Sequence, residues 1–300
     1  MEKFHLKNND KMIHVVKWNQ VNKTDKVLII VHGMAEHIKR YDYFATKLNE
    51  NNILVYGYEV IGHGSTIKKK EDQGHWNKGD FDNNVDNINQ LISYVKKEHP
   101  NLKVFLLGHS MGSFLTRRYL IKYGSNINGA LLSGSSAITP LMKMGATIAK
   151  LFSKKKDKLP NHRLTKLSFG SYNKHFKPNR TEFDWLSSDN AQVDKYIEDP
   201  LCGFVCTTGY YKEFTSSLKH LDDKVNLRKI PKELPIYIFS GSLDPVSNMG
   251  KDIKKLYLKL LNAGLKNVYL KVYQNMRHET LNEVDKDIVI NDVINWVNKQ

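Results

Sequence analysis

Residues 104–112 read Val104-Phe105-Leu106-Leu107-Gly108-His109-Ser110-Met111-Gly112, which is four apolar residues followed by a turn of small residues. A short run that is apolar at every position is typical of a strand buried on both faces. Apolar residues at three- and four-residue spacing follow over 114–123 and indicate a helix. The segment therefore predicts a strand, a sharp turn with a serine at its tip, and a helix.

Strands and helices alternate along most of the rest of the chain. The pattern predicts further strands at 27–31, 53–58, 130–132, 236–239 and 268–272, and helices at 41–50, 85–97, 253–261 and 288–297. The first 18 residues contain two short alternating runs around a polar turn, which predict a hairpin at a sheet edge. This alternation predicts a doubly wound α/β sheet whose strands are mostly parallel.

The alternation is interrupted between Ser136 and Cys206, where short amphipathic segments replace the strands. The simplest interpretation is a helical insertion. We therefore expect a core formed by residues 1–136 and 207–300, and a helical cap formed by residues 137–206.

Positive charge is concentrated in the expected cap. The 300 residues carry 46 Lys and Arg against 31 Asp and Glu, a net charge of +15. Residues 143–180 contain 11 basic residues and one acidic residue, so this segment alone carries +10. Such charge attracts nucleic acid, anionic lipid or acidic substrates. No interleaving of aromatic and basic residues accompanies it, so nucleic-acid binding is not expected.

An apolar helical face precedes the lysine cluster of the cap. It is formed by residues between Leu141 and Phe152, and Lys154, Lys155, Lys156 and Lys158 follow it. Two interpretations stay open. The segment is either a lid that contacts an anionic membrane through its apolar face and its lysines, or a helix that packs on the core with solvated lysines.

Several classes of protein are excluded or disfavoured. No apolar stretch reaches the roughly 18 residues that cross a bilayer, and the polar N-terminus lacks a secretory signal, so we expect a cytoplasmic protein. Cys202 and Cys206 have no second Cys/His pair at zinc-site spacing, so both are expected to be reduced and structural. No metal or cofactor is expected.

Ser110 has the context of a nucleophile. A serine at the tip of a strained strand-to-helix turn is exposed for attack, and Gly108 and Gly112 avoid collisions with neighbouring backbone. A serine hydroxyl needs a base to accept its proton and a carboxylate to orient that base. His109, within the turn, is expected to point away from Ser110 and to be structural.

The base and the carboxylate are predicted from chain order. Asp244 follows the strand at 236–239, and His278 follows the strand at 268–272. Both loops lie at the carboxyl edge of the expected sheet, where open α/β folds bind ligands. The sequence therefore predicts a catalytic triad of Ser110, Asp244 and His278. The competing histidines all precede the serine: His32, His37, His63 and His75.

Two backbone N–H groups are expected to stabilise the oxyanion. One belongs to Met111, directly after the nucleophile. The other is assigned to Met34, in the loop after the strand at 27–31, where Gly33 is expected to permit an unusual turn.

These motifs resemble the monoacylglycerol lipase and lysophospholipase branch of the α/β-hydrolases, which is also grouped with serine aminopeptidases. The resemblance covers nearly the whole chain and implies a lid inserted after the sixth core strand. It also implies cofactor-free hydrolysis of a small acyl ester or single-chain lipid. Residues 143–180 match nothing specific, so the preferred substrate stays open. The matching segments are 32–37 with Arg40-Tyr41, 62–64, 108–112, 183–186, 199–203, 244–246 and 277–279.

Two alternatives to an ester hydrolase stay open. The same triad cleaves amides, so an aminopeptidase is one of them, although the basic cap offers few carboxylates for a free amine. A non-catalytic binding protein on the same scaffold is the other, and it would be expected to have a broken triad. The sequence gives no prediction of oligomeric state.

Overall fold

A computed structural model describes residues 1–8, 11–151 and 157–300, with eight strands in one sheet. The strands are β1 (Glu2–Asn8), β2 (Lys11–Trp18), β3 (Lys26–Val31), β4 (Ile53–Tyr58), β5 (Lys103–His109), β6 (Gly129–Ser133), β7 (Ile236–Gly241) and β8 (Val268–Tyr273). Their order across the sheet is β1-β2-β4-β3-β5-β6-β7-β8. β1 and β2 form the expected antiparallel hairpin at one edge, and β2 pairs with β4 in antiparallel orientation. The six strands β3 to β8 are parallel to one another.

The described helices either cover the two faces of this sheet or belong to the segment between β6 and β7. They are α1 (Asp42–Glu50), α2 (Asp80–Glu98), α3 (Met111–Tyr123), α4 (Pro140–Leu151), α5 (His162–Phe169), α6 (Asn190–Glu198), α7 (Thr208–Leu218), α8 (Lys224–Leu227), α9 (Lys251–Asn262) and α10 (Lys286–Lys299). Among the described residues, none of these helices has the length and apolar character needed to cross a membrane.

Alternating side chains of β3 divide the core into two layers. Ile29 belongs to a buried cluster that includes Val85 of α2, whereas the neighbouring Leu28 belongs to a second cluster with Phe44 of α1 and Val293 of α10. A strand that is buried on both faces explains why its sequence is continuously apolar. The doubly wound α/β architecture is therefore confirmed.

Four helices begin earlier than the apolar spacing predicts: α9 and α10 by two residues, and α2 and α3 by more. α2 starts at Asp80 because Gly79, with a φ of 92°, ends the preceding turn and Phe81 is already buried. α3 starts at Met111 rather than at 114. Its first turn contains the small residues Gly112 and Ser113, which do not contribute to the apolar spacing. The early start of α3 places a helix N-terminus directly beside Ser110.

The interruption after β6 contains helices and, in its described part, one isolated bridge instead of strands. The expected apolar face of α4 is divided. Met142 and Ile148 of this face pack against the larger core cluster, whereas Leu141, Met144 and Leu151 are 68%, 59% and 73% exposed. Phe152 and Lys154 to Lys156 lie outside the described residues, and the cap boundaries at 137 and 206 stay a prediction.

Candidate active site

Ser110 lies in the turn between β5 and α3 with a strained backbone, φ 50° and ψ −118°. The turn is closely packed, since a methyl group at Gly108 would overlap the carbonyl oxygen of Gly112, and one at Gly112 would overlap that of Val31. The Ser110 N–H donates to the Ser133 carbonyl at 2.9 Å. These contacts hold the serine at the carboxyl end of the sheet, with its side chain lining a cavity.

Asp244 is completely buried in the loop after β7. Its Oδ2 accepts a hydrogen bond from Ser240 Oγ at 2.6 Å, and its Oδ1 accepts one from the Val246 N–H at 2.8 Å. Burial alone would raise the pKa of Asp244, but the charge and hydrogen bond of His278, together with these two donors, lower it below its usual value. The carboxyl group is therefore ionised at neutral pH.

His278 lies in the loop after β8, and its Nδ1 is 3.0 Å from Asp244 Oδ1. Burial alone would lower the pKa of His278, but the adjacent Asp244 carboxylate raises it above the ordinary histidine value. This contact fixes the ring so that Nδ1 carries the proton and Nε2 is the free base. Ser110 Oγ makes no hydrogen bond to His278 in the described chain, and such contacts commonly tighten only when substrate binds.

Ser110 and His278 line the same cavity, with a volume of about 950 Å³. Most of its wall is apolar or aromatic, and a large part comes from the segment between β6 and β7. Contributing side chains include Met142, Ile148, Leu164, Phe169, Leu186 and Phe214. An apolar cavity lined by a serine and by a histidine that contacts a buried carboxylate suits a substrate with a hydrocarbon chain and one polar reacting group.

Met34 and Met111 also line the cavity, and neither backbone N–H donates a hydrogen bond to any described residue. Met111 is the first residue of α3, so its N–H has no partner within the helix. The unusual turn expected at Gly33 occurs instead at Ala35, which has a φ of 53°. Gly33 is needed for close approach, because its Cβ would lie 3.2 Å from the Ser110 Cβ.

A buried ionic network joins the loop of Met34 to the loop of His278. Arg40 Nη1 is 2.7 Å from Glu36 Oε2 and 2.6 Å from Glu279 Oε1. Glu36 Oε1 also accepts the Gly33 N–H at 2.5 Å. Burial opposes the charge on Glu36, but Arg40 and nearby histidines lower its pKa to about 2. The sequence identified Arg40 only through the family motif, because nothing local connects it to residue 279.

The sequence missed two residues that contact His278. The Trp185 ring lies 5.2 Å from the His278 ring, centre to centre. The backbone carbonyl oxygen of Trp185 also accepts the backbone N–H of His278 at 3.4 Å. The expectation that His109 points away from Ser110 was wrong: it lines the cavity, 4.9 Å from the His278 ring. Burial lowers the pKa of His109 to about 4, so it is neutral at pH 7.

The four competing histidines make other contacts, and none lines the cavity among the described residues. His32 contacts the Gly33 carbonyl, His63 the Ile61 carbonyl, and His75 the Thr207 hydroxyl. His37 lies 2.7 Å from Asp199 Oδ2, and these two residues with Cys202 form the one group of potential metal ligands in the described part of the chain. None of the three lines the cavity.

Fold and site together define the class of serine ester hydrolases with the α/β-hydrolase fold. The sequence profile of the family described as serine aminopeptidase, S33, matches residues 22–285, and the chain belongs to this family.

Similar proteins are found over nearly the full length. Monoglyceride lipase of Rattus norvegicus is 29% identical over 98% of this chain and 89% of its own length. Monoacylglycerol lipase of Mycolicibacterium smegmatis is 24% identical over 93% of this chain and 90% of its own length. The crystal structure of a thermostable carboxyl esterase from Bacillus coagulans is 26% identical and superposes with a TM-score of 0.91, covering 99% of this chain and 98% of that one.

Proposed function

We propose that this enzyme hydrolyses the acyl ester of monoacylglycerols or similar single-chain lipids, with Ser110, His278 and Asp244 as its catalytic triad. The observation that carries this proposal is the contact of 3.0 Å between a buried, ionised Asp244 and His278, which lines the same cavity as Ser110. The resemblance to monoglyceride lipases supports the choice of substrate class.

The reaction proceeds through an acyl-enzyme. Ser110 Oγ attacks the ester carbonyl while His278 Nε2 takes the hydroxyl proton, and Asp244 stabilises the resulting imidazolium. The bond to the leaving alcohol then breaks, and His278 returns the proton to the alcohol oxygen. Water, activated by His278, attacks the acyl-enzyme, so the fatty acid leaves and Ser110 regains its proton.

The N–H groups of Met34 and Met111 stabilise the oxyanion of each tetrahedral intermediate. Support comes from their position in the cavity wall and from the lack of another acceptor for either group in the described chain. Donors held in place before the reaction need no reorganisation as charge develops on the oxygen.

The lining of the cavity favours an ester over a peptide with a free amino group. Three carboxylates in the lining are already paired: Glu36 and Glu279 with Arg40, and Asp252 with Lys255. Glu182 also borders the cavity and has no ion pair within the described chain, so aminoacyl amides belong in the substrate tests.

A substrate panel tests the reaction class. We expect monoacylglycerols and p-nitrophenyl esters to be hydrolysed with the highest kcat/KM, and lysophospholipids and aminoacyl amides more slowly. The reason is that the apolar cavity binds an acyl chain, while three of the four carboxylates in its described lining are already paired with cations and cannot bind an amine. Faster turnover of aminoacyl amides than of all esters would contradict the ester assignment.

Residues 137–206 are proposed to form the cap, and its basic surface to contact anionic membranes. The exposed Leu141, Met144 and Leu151 of α4 support this, since large apolar side chains beside a basic segment suit a lipid interface. Met142 and Ile148 of the same face pack against the core cluster, so the two interpretations of this face each describe part of it. The reduced, buried cysteines agree with the proposed cytoplasmic location.

Vesicle flotation tests the membrane contact. We expect the enzyme to bind anionic vesicles and to be released by salt, because each lysine near the surface contributes about 1 kcal/mol at most. Changing Lys154, Lys155, Lys156 and Lys158 to Ser, or combining Leu141→Ser with Met144→Ser, should weaken binding.

The double variant Leu258→Ser with Ile288→Ser removes exposed apolar side chains outside the cap and is the matched control. Equal binding of all variants, or none by the unchanged enzyme, would leave the cap as a substrate cover without membrane contact.

A further inference from the structure

Three side chains with metal-ligand chemistry meet where the loop after β3 contacts the loop after α6. His37 comes from the first loop, and Asp199 and Cys202 come from the second. One potential ligand atom from each lies within 4.8 Å of the other two. We infer that these residues form a binding site for a thiophilic divalent cation, and that Zn²⁺ is the metal their donors fit best.

The donor set selects the metal. Nitrogen, carboxylate oxygen and sulfur together match the ligands of Zn²⁺, whereas Mg²⁺ and Ca²⁺ prefer oxygen alone. Three protein ligands leave a fourth tetrahedral position for water. The Asp199 side chain is 32% exposed, so a hydrated ion can reach the site from solvent.

One buried nitrogen of the His37 ring has no hydrogen-bond partner among the described residues. His37 is 5% exposed, and its Nδ1 has no hydrogen-bond partner among the described residues, although its Nε2 contacts Asp199 Oδ2 at 2.7 Å. A buried ring nitrogen without a partner is uncommon in folded proteins. The His37 ring itself lies beside a carboxylate and a thiol, which are the two other donors of the site.

The thiol contributes by losing its proton. Burial raises the pKa of the Cys202 thiol, so the sulfur is protonated in the absence of metal. On binding, the metal–sulfur bond forms, the S–H bond breaks and the proton passes to solvent. No change in oxidation state accompanies this exchange.

The charge balance permits a divalent ion. Arg40 acts electrostatically on Cys202, but Glu36 and Glu279 already balance its positive charge at 2.7 and 2.6 Å. The ion itself would meet the Asp199 carboxylate and the Cys202 thiolate, whose two negative charges offset its own. Binding therefore adds no uncompensated charge to a half-buried region.

Metal binding would strengthen an existing contact between the two loops. The Gly203 N–H and the Tyr196 hydroxyl each donate to the Ala35 carbonyl at 2.9 Å. His37 lies two residues beyond Ala35, so a metal bridge to Asp199 and Cys202 would tie the same two segments a second time. We expect Zn²⁺ to raise the Tm of the folded enzyme, because an ion that binds only the native state stabilises it.

Cobalt substitution tests the site independently of ester hydrolysis. We expect tag-free enzyme to bind one equivalent of Co²⁺ with a thiolate-to-cobalt charge-transfer absorption that Zn²⁺ removes by competition. Cys202→Ser should abolish this absorption and lower the Zn²⁺ affinity at least about tenfold. Asp199→Asn and His37→Gln should weaken the absorption with the cysteine intact. Cys206→Ser is the matched control, since Cys206 is buried outside the group of potential ligands.

Circular dichroism and a thermal melt of each variant without metal identify any that fail to fold, and Asp199→Asn, at a partly exposed position, then decides the outcome. The proposal is overturned if the unchanged enzyme gives no charge-transfer absorption, if the absorption persists in Cys202→Ser, if it is unchanged in Asp199→Asn, or if Cys206→Ser loses it. Each of those results would leave a hydrogen-bonded His37 and Asp199 beside a buried thiol. The metal site is tested independently of the proposed function, so the effect of catalytic variants on ester hydrolysis does not bear on it.

Discussion

Ser110→Ala is expected to lower kcat for monoacylglycerol hydrolysis by about 10⁶-fold and to abolish labelling by a fluorophosphonate. The loss is large because the variant has no atom that can form the acyl-enzyme. The cavity and the proposed oxyanion donors are retained. The fold should be unchanged, since the strained backbone of the turn is held by Gly108, Gly112 and the Ser133 carbonyl rather than by the serine side chain.

Ser135→Ala is a matched control for this prediction. Ser135 is buried and its hydroxyl has no hydrogen-bond partner among the described residues, so its removal should preserve most of the activity. Stopped-flow detection of the acyl-enzyme and intact-protein mass spectrometry of the labelled enzyme are the measurements. Labelling of Ser110→Ala at the rate of the unchanged enzyme would remove Ser110 from the mechanism.

Asp244→Asn is expected to lower kcat by about 10⁴-fold while the protein stays folded. Asparagine keeps the shape of the buried side chain, but its amide favours the histidine tautomer with the proton on Nε2. That tautomer cannot accept the proton of Ser110. Activity measured against pH provides a second readout, because His278 must be neutral to act as a base.

In the unchanged enzyme the carboxylate raises the pKa of His278, so activity should fall as the pH drops through a value above that of an ordinary histidine. In Asp244→Asn this acid limb should move to lower pH, because burial then acts on His278 without the opposing charge. Asp252→Asn and His75→Ala are the controls, and both should keep the acid limb of the unchanged enzyme. A loss below about tenfold in Asp244→Asn would assign the role to another carboxylate.

The sequence predicted the sheet well because most of its parallel strands are short, largely apolar runs separated by amphipathic helices, and its edge hairpin consists of two alternating runs around a polar turn. The candidate residues of the triad followed from chain order, since Ser110, Asp244 and His278 each come directly after a recognisable strand. Local pattern could not assign Trp185 or Glu279 a role, because their contacts join segments far apart in the chain. The same limit applies to His37 and Cys202, whose proximity depends on how the loop after α6 lies against the loop after β3.

The apolar face of α4 illustrates another limit. Periodicity identified one continuous face, yet Met142 and Ile148 pack against the core cluster while Leu141 and Leu151 are exposed. Helical spacing gives the direction of a side chain around the axis but not the width of the surface it packs against. In this protein that surface is α7, which covers only part of the face.

The contacts of Trp185, Tyr196 and Gly203 bear on how this enzyme could be rebuilt for other substrates. Trp185 packs on His278, while Tyr196 and Gly203 fix the carbonyl of Ala35, the residue after Met34, whose N–H is the proposed oxyanion donor. Exchanging the whole insertion for that of a relative would therefore dismantle part of the catalytic centre along with the acyl-chain wall. A chimaera that retains residues 184–203 and replaces only the earlier part of the insertion would alter chain-length selectivity. It would keep the contacts that hold His278 and the Ala35 carbonyl in place.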